Sequence, residues 1–130
     1  MGSGSSGLSG GGGSLGMNAV RNILGTKEVN DLEFSSPGFV AALSNATLKK
    51  NEDGEIAFKF YGKDKTTGRS KVLEVYSTDL QNARSDIRAN GYTINRIFSS
   101  NVYDAIINHT DGERWDYAAA KKIDDALLKR

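Results

Sequence analysis

Few residues in this chain have the type and spacing to do chemistry. His109 is the only histidine, and there is no cysteine. A lone imidazole without thiolates cannot build a zinc site from the usual ligands. At the end of a predicted helix, His109 reads as a cap or an exposed residue. The paired carboxylates are Asp124 with Asp125, and Glu113 with Asp116. Such pairs do acid–base work when held in a cleft with split pKa values. With Arg114, Lys121, Lys122 and Lys129 as neighbours, i,i+3 and i,i+4 pairing on a solvated face is the plainer account. No glycine-rich phosphate loop occurs in residues 17–130. These features assign no catalytic residue, no metal ligand and no cofactor, and the expectation is a protein that is not an enzyme.

Two groups of residues suit binding. Lys59, Lys63, Lys65, Arg69 and Lys71 crowd one short stretch, with Asp64 the single acid among them and Tyr61 beside them. A basic hairpin with aromatics can follow a phosphate backbone, although exposed edge strands also carry Lys to prevent strand-to-strand aggregation. Trp115 and Tyr117 open the last predicted helix and could anchor a protein partner, since such residues are frequent in interface hot spots. The plainer role for Trp115 is to plug the core.

Composition bounds these readings. The 130 residues carry 17 basic and 16 acidic side chains, for a net charge of +1. Bulk charge therefore argues for no polyanionic partner, and only local clustering could. Residues 1–16 are Gly and Ser with two Leu and hold eight of the fifteen glycines. Such a stretch buries too little apolar surface to offset chain entropy, so disorder is expected there. Met17 reads as a natural start behind a tag or linker, and residues 17–130 as one domain. No apolar run approaches the ~20 residues needed to span a membrane; the default expectation is a cytoplasmic protein with no membrane partner.

The elements that must position these residues centre on residues 55–98. Residues 55–61 alternate Ile56, Phe58 and Phe60 against Glu55, Ala57, Lys59 and Tyr61, which predicts a strand with one buried face. A polar turn over 62–70 leads to a second strand at 71–76, rich in β-branched and aromatic residues. Thr78 with Gln81 three residues on predicts a capped helix through Asn90, burying Leu80, Ala83 and Ile87. Residues 92–98 read as a further strand. Upstream, 18–24 suits a short helix or a loose arm, 29–34 a short edge strand, and 39–43 a helical turn after Pro37. Asp53-Gly54 between alternating runs predicts that 46–50 pairs antiparallel with 55–61. Two helices follow, one capped by Ser100 and one over 113–129 with Trp115, Ala119, Ile123, Ala126 and Leu127 as its apolar stripe. The expected fold is α+β: a three- to four-stranded, antiparallel-rich sheet covered by one helix, with C-terminal helices. Phe58, Phe60, Val75, Ile87, Ile94 and Trp115 are its expected core.

The run from Phe58 to the Gly68-Arg69 turn, then Val75-Tyr76-Ser77-Thr78-Asp79, Ala83-Arg84, Ile87, Gly91-Tyr92 and Ile94 to Ile97, resembles the small N-terminal repeat of the inner-membrane platform proteins of type II secretion and type IV pilus assembly. The likeness covers residues 55–98 and implies the same fold unit, docking onto another protein. Lys65-Thr66-Thr67-Gly68-Arg69-Ser70-Lys71 is similar to the basic turn of the arm-DNA-binding domains of tyrosine recombinases, which implies nucleic-acid contact. The expected function is a small non-enzymatic protein-binding or regulatory module. The alternative is a nucleic-acid-binding accessory protein that uses the basic β-hairpin on DNA or RNA.

Overall fold

The computed structural model describes residues 13–130 and is of the α+β class. Its elements are α1 (Met17–Leu24), α2 (Thr26–Ser35), α3 (Phe39–Asn45), β1 (Ile56–Lys63), β2 (Ser70–Ser77), α4 (Leu80–Ala89), β3 (Arg96–Ser99), α5 (Ser100–His109) and α6 (Arg114–Leu128). The sheet is antiparallel with order β2-β1-β3, so β1 is central and β3 lies at an edge. Among the described residues no helix is long and apolar enough to cross a membrane.

Strand alternation divides the hydrophobic interior in two. Phe58 and Phe60 point from β1 to α4, where they meet Ala83, Ile87 and Ile97. Ala57, Lys59 and Tyr61 take the opposite face. There Phe98, opposite Lys59 in the ladder, joins a larger core shared by α1, α2, α3, α5 and α6. Phe39, Leu43, Ile106, Ile123 and Leu127 are among its fully buried members. β1 and β3 are thus covered on both faces, while β2 leaves Val72 and Tyr76 exposed. Val75 and Ile94 are half-buried at the margin of the small core.

Several expectations are corrected. Residues 29–34 are not an edge strand but most of α2, which buries Val29 and Leu32 at i,i+3 spacing and leaves Phe34 90% exposed. Residues 46–50 do not form a paired strand. Both edges of β1 are occupied, by β2 and β3, and the β3 register begins at Phe58. Only the stub before it is free, and it takes one bridge, Lys50 to Ile56, with the Ala57 N–H donating to the Lys49 carbonyl at 2.9 Å. The Asp53-Gly54 turn itself is present, held by Asn51 Oδ1, which accepts from the Asp53 and Glu55 N–H groups.

The cap of α4 is Asp79, not Thr78: its carboxylate accepts from the Asn82 N–H at 2.7 Å, and Thr78 accepts from the Asn82 side chain. A carboxylate at the positive helix end outcompetes the hydroxyl one residue earlier. Ser100 is the first residue of α5 rather than its cap. Residues 1–12 of the expected disordered stretch lie outside the described residues. Over 13–16 the chain lies against the domain instead: Leu15 packs on the larger core and the Gly16 N–H donates to the Ser44 carbonyl at 3.0 Å.

A close backbone crossing fixes the end of β1. Thr93 donates its N–H to the Lys63 carbonyl at 2.9 Å, and its own carbonyl passes so near Gly62 that a Cβ there would sit 2.1 Å from the oxygen. The same Cβ would lie 3.1 Å from the Phe60 ring. Gly62→Ala should therefore destabilise the fold by ~1–3 kcal/mol through overpacking. A urea midpoint equal to that of wild type would refute the crossing.

Candidate functional site

The residues that converge on one place come from α4, β3 and α6. A cleft of about 500 Å³ is lined by Arg84, Asn95, Arg96, Ile97, Phe98, Gly112, Arg114, Tyr117, Ala118 and Lys121, four cations and no carboxylate. Helical spacing places Arg114, Tyr117, Ala118 and Lys121 on one face of α6 at i, i+3, i+4 and i+7. Arg84 reaches in from α4, and Arg96 lies on the edge strand across from Tyr61.

Arg96 is held in position. Its guanidinium carbon lies 4.3 Å from the centroid of the Tyr117 ring, and that ring is also stacked with Phe98 at 6.3 Å and 17°. Stacking on the ring face leaves the guanidinium edge, with its N–H donors, for a ligand. Gly112 makes room for this: a Cβ there would lie 2.9 Å from the Tyr117 hydroxyl. Burial pushes the Tyr103 hydroxyl up, Tyr117 adds to the effect and Arg96 opposes it. Among the described residues, Arg84, Arg96 and Arg114 form no ion pair, while Lys121 contacts Asp125 at 2.8 Å.

The cleft also borders the outer edge of β3, which is buried from Ile97 to Ser99. The Ser99 N–H points away from β1 and donates to the Asp124 carboxylate at 3.1 Å. Backbone groups two residues apart on a strand share an edge, so the Ile97 N–H and carbonyl face the same way. Asp124 thus closes the edge at Ser99, and Ile97 lines the cleft while remaining only 5% exposed.

The hairpin cations are not gathered into one patch. Lys59 and Lys63 lie on the face away from α4, and Lys59 is tied to Asp104 at 2.6 Å. Lys71 lies on the opposite face, its ammonium 5.9 Å from the Tyr92 centroid. Lys65 and Arg69 are exposed in the turn that Asp64 organises by accepting from the Thr66 N–H. Tyr61 is half-buried beside Arg96. On the same face Glu74 meets Lys49 at 3.3 Å and the Ser100 hydroxyl at 2.7 Å. Burial pushes its carboxyl up, but these two donors outweigh burial and hold it below the ordinary value.

Of the two aromatic anchors, Tyr117 belongs to the cleft and Trp115 does not. The expectation that Trp115 plugs the core is corrected. It is 37% exposed on a shallow groove with Gly25, Lys27, Glu28 and Asp31, because the apolar stripe of α6 outruns the core it covers. The solvated-face reading of these carboxylates holds for Glu113 and Asp125 and fails for Asp116 and Asp124. Asp116 and Asp124 are 1% and 2% exposed. Asp116 accepts from the Glu113 N–H and the Ser36 hydroxyl in a capping box. His109 is exposed beside Gly38 at the end of α5.

Sequence reasoning missed Arg84, Arg96, Arg114 and Lys121. The arginine–tyrosine–alanine–lysine stripe on α6 was the one local signal that could have found half of them. A scan of protein-family models, and searches of curated proteins and of solved structures, found no match.

Proposed function

We propose that the protein is a small non-enzymatic binding module that docks an anionic segment of a protein partner in the cleft between α4, β3 and α6. The observation that carries this reading is a cleft lined by four cations and no carboxylate. Cations in the cleft steer acidic partners and reject basic ones. The likeness of residues 55–98 to a platform module that docks onto another protein points the same way. Arg114→Ala combined with Lys121→Ala removes two exposed charges without touching the core. In a pull-down with residues 1–12 removed, wild type should retain a protein that this double variant loses. Equal retention by both would overturn the reading.

A second reading rests on Lys63, Lys65 and Arg69, which are exposed at the hairpin tip with no ion pair among the described residues. If they neutralise phosphates of duplex DNA, log affinity should fall with log salt by ~0.9 per contact. Lys65→Ala with Arg69→Ala should then flatten that slope by about two units and weaken all sequences alike. A salt-titrated binding assay checks this, and an unchanged slope leaves the cations as edge protection.

A further inference from the structure

We infer that the anionic group received by the cleft is a phosphate monoester, a phosphoserine or phosphothreonine side chain on the docked protein segment. The inference rests on the docking reading above and names the chemistry of its partner. A carboxylate brings one negative charge and two acceptor oxygens. A phosphate monoester brings nearly two charges and three strong acceptors at neutral pH. Arg84, Arg96, Arg114 and Lys121 line one open cleft of about 500 Å³ with no carboxylate in its lining. Asp125 offsets Lys121, which leaves three guanidinium groups uncompensated among the described residues. One carboxylate would satisfy a single member of that set. A dianion with three oxygens can engage several at once, each through charge-assisted bonds.

The geometry favours Arg96 as the central ligand. Its guanidinium carbon sits over the Tyr117 ring at 4.3 Å before anything binds, which lowers the entropy lost on binding. Asn95 and Tyr117 add neutral polar groups to the lining, and Ile97, Phe98 and Ala118 add apolar side chains.

The distribution of charge favours one phosphate over a nucleic-acid strand. A strand presents phosphate after phosphate and needs a run of cations to follow it. Outside the cleft, Lys27, Lys49, Lys59 and Lys122 are each paired with an acid. The hairpin cations divide between two faces of the sheet. Lys63, Lys65 and Arg69, unpaired among the described residues, sit at the hairpin tip and are not in the lining of the cleft.

The test is an array of degenerate peptides centred on phosphoserine, with matched serine-centred and glutamate-centred sets, read by fluorescence polarisation. The phosphoserine set should bind roughly tenfold or more tightly than the glutamate set, with no binding by the serine set. Binding should strengthen as pH rises from 5 to 7, because the second phosphate ionisation lies near ~6, while glutamate peptides show no such rise. Arg96→Lys keeps the charge and loses the stacked fork, so it should narrow the preference for phosphoserine; circular dichroism checks that the variant is folded. Glutamate peptides binding as well as phosphoserine peptides would overturn the phosphate inference and leave the docking reading standing. No binding by any set would overturn both. A mixed-sequence single-stranded oligonucleotide that binds where no phosphopeptide does would replace both with nucleic-acid recognition.

Discussion

Phe58→Ala is expected to lower the unfolding free energy by ~3–5 kcal/mol, the cost of emptying a closed aromatic site. Phe58 is 0% exposed and sits at the centre of β1, flanked in the ladder by Val75 and Ser99. The small core that contains it has only Phe60, Ala83, Ile87 and Ile97 as its other buried members. Leu73, Val75, Tyr92 and Ile94 pack around it as partly buried neighbours. Against a total stability of roughly 5–15 kcal/mol for a domain, one truncation would remove a large share. Phe34→Ala is the internal control. Its ring is 90% exposed on α2, and surface changes of this kind fall within about 0.5 kcal/mol. Urea unfolding of the two variants measures the contrast directly. Similar midpoints for both would contradict the assignment of faces on β1.

The second large effect is one of pH. Burial pushes the Asp124 carboxyl up to about 6, the Ser99 hydroxyl and N–H pull it back, Asp125 adds to the rise and Lys121 opposes it. The Ser99 hydroxyl donates to Oδ1 at 2.5 Å. Because the folded pKa is raised, the native state holds a proton between pH ~4 and ~6 that the unfolded chain has released. Stability contributed by this group therefore falls as pH rises through that window and stays low above it. The shift from 3.8 to about 6 corresponds to ~3 kcal/mol. Glu74 acts in the opposite sense: its depressed pKa contributes stability at neutral pH that is lost on acidification. The difference between wild type and Asp124→Asn isolates Asp124. That difference should change steadily between pH 4 and pH 6 and level off above 7. A pH-independent difference would contradict a buried, ionisable Asp124.

How much of this could be read from the chain alone depended on how local each signal was. The strands at β1 and β2 and the body of α4 declared themselves by period and by the turn at Asn90 and Gly91. Each needed only its own neighbours. The α2 segment did not, because five polar and apolar residues in imperfect alternation also fit i,i+3 spacing. What decides is the helical core that Val29 and Leu32 enter. Residues 46–50 read as a strand since nothing local announces that β3 has already taken the edge. Asp116 and Asp124 were unreadable for the same reason: their partners, Ser36 and Ser99, are far away in sequence. The cleft was missed most completely. Arg84, Arg96 and Arg114 are separated by whole elements, and each alone looks like an ordinary surface arginine. The hairpin drew attention because its cations are close in sequence, yet pleating sends Lys59 and Lys71 to opposite faces.

The claim that the cleft, and not the hairpin, receives the anionic partner is tested most directly by titrating isotope-labelled protein with phenyl phosphate and following backbone and arginine side-chain resonances. Saturable shifts should concentrate on Arg84, Arg96, Ile97, Arg114, Tyr117 and Lys121, with Lys63, Lys65 and Arg69 unmoved. Shifts centred on the hairpin tip, or spread evenly over every exposed lysine and arginine, would contradict it.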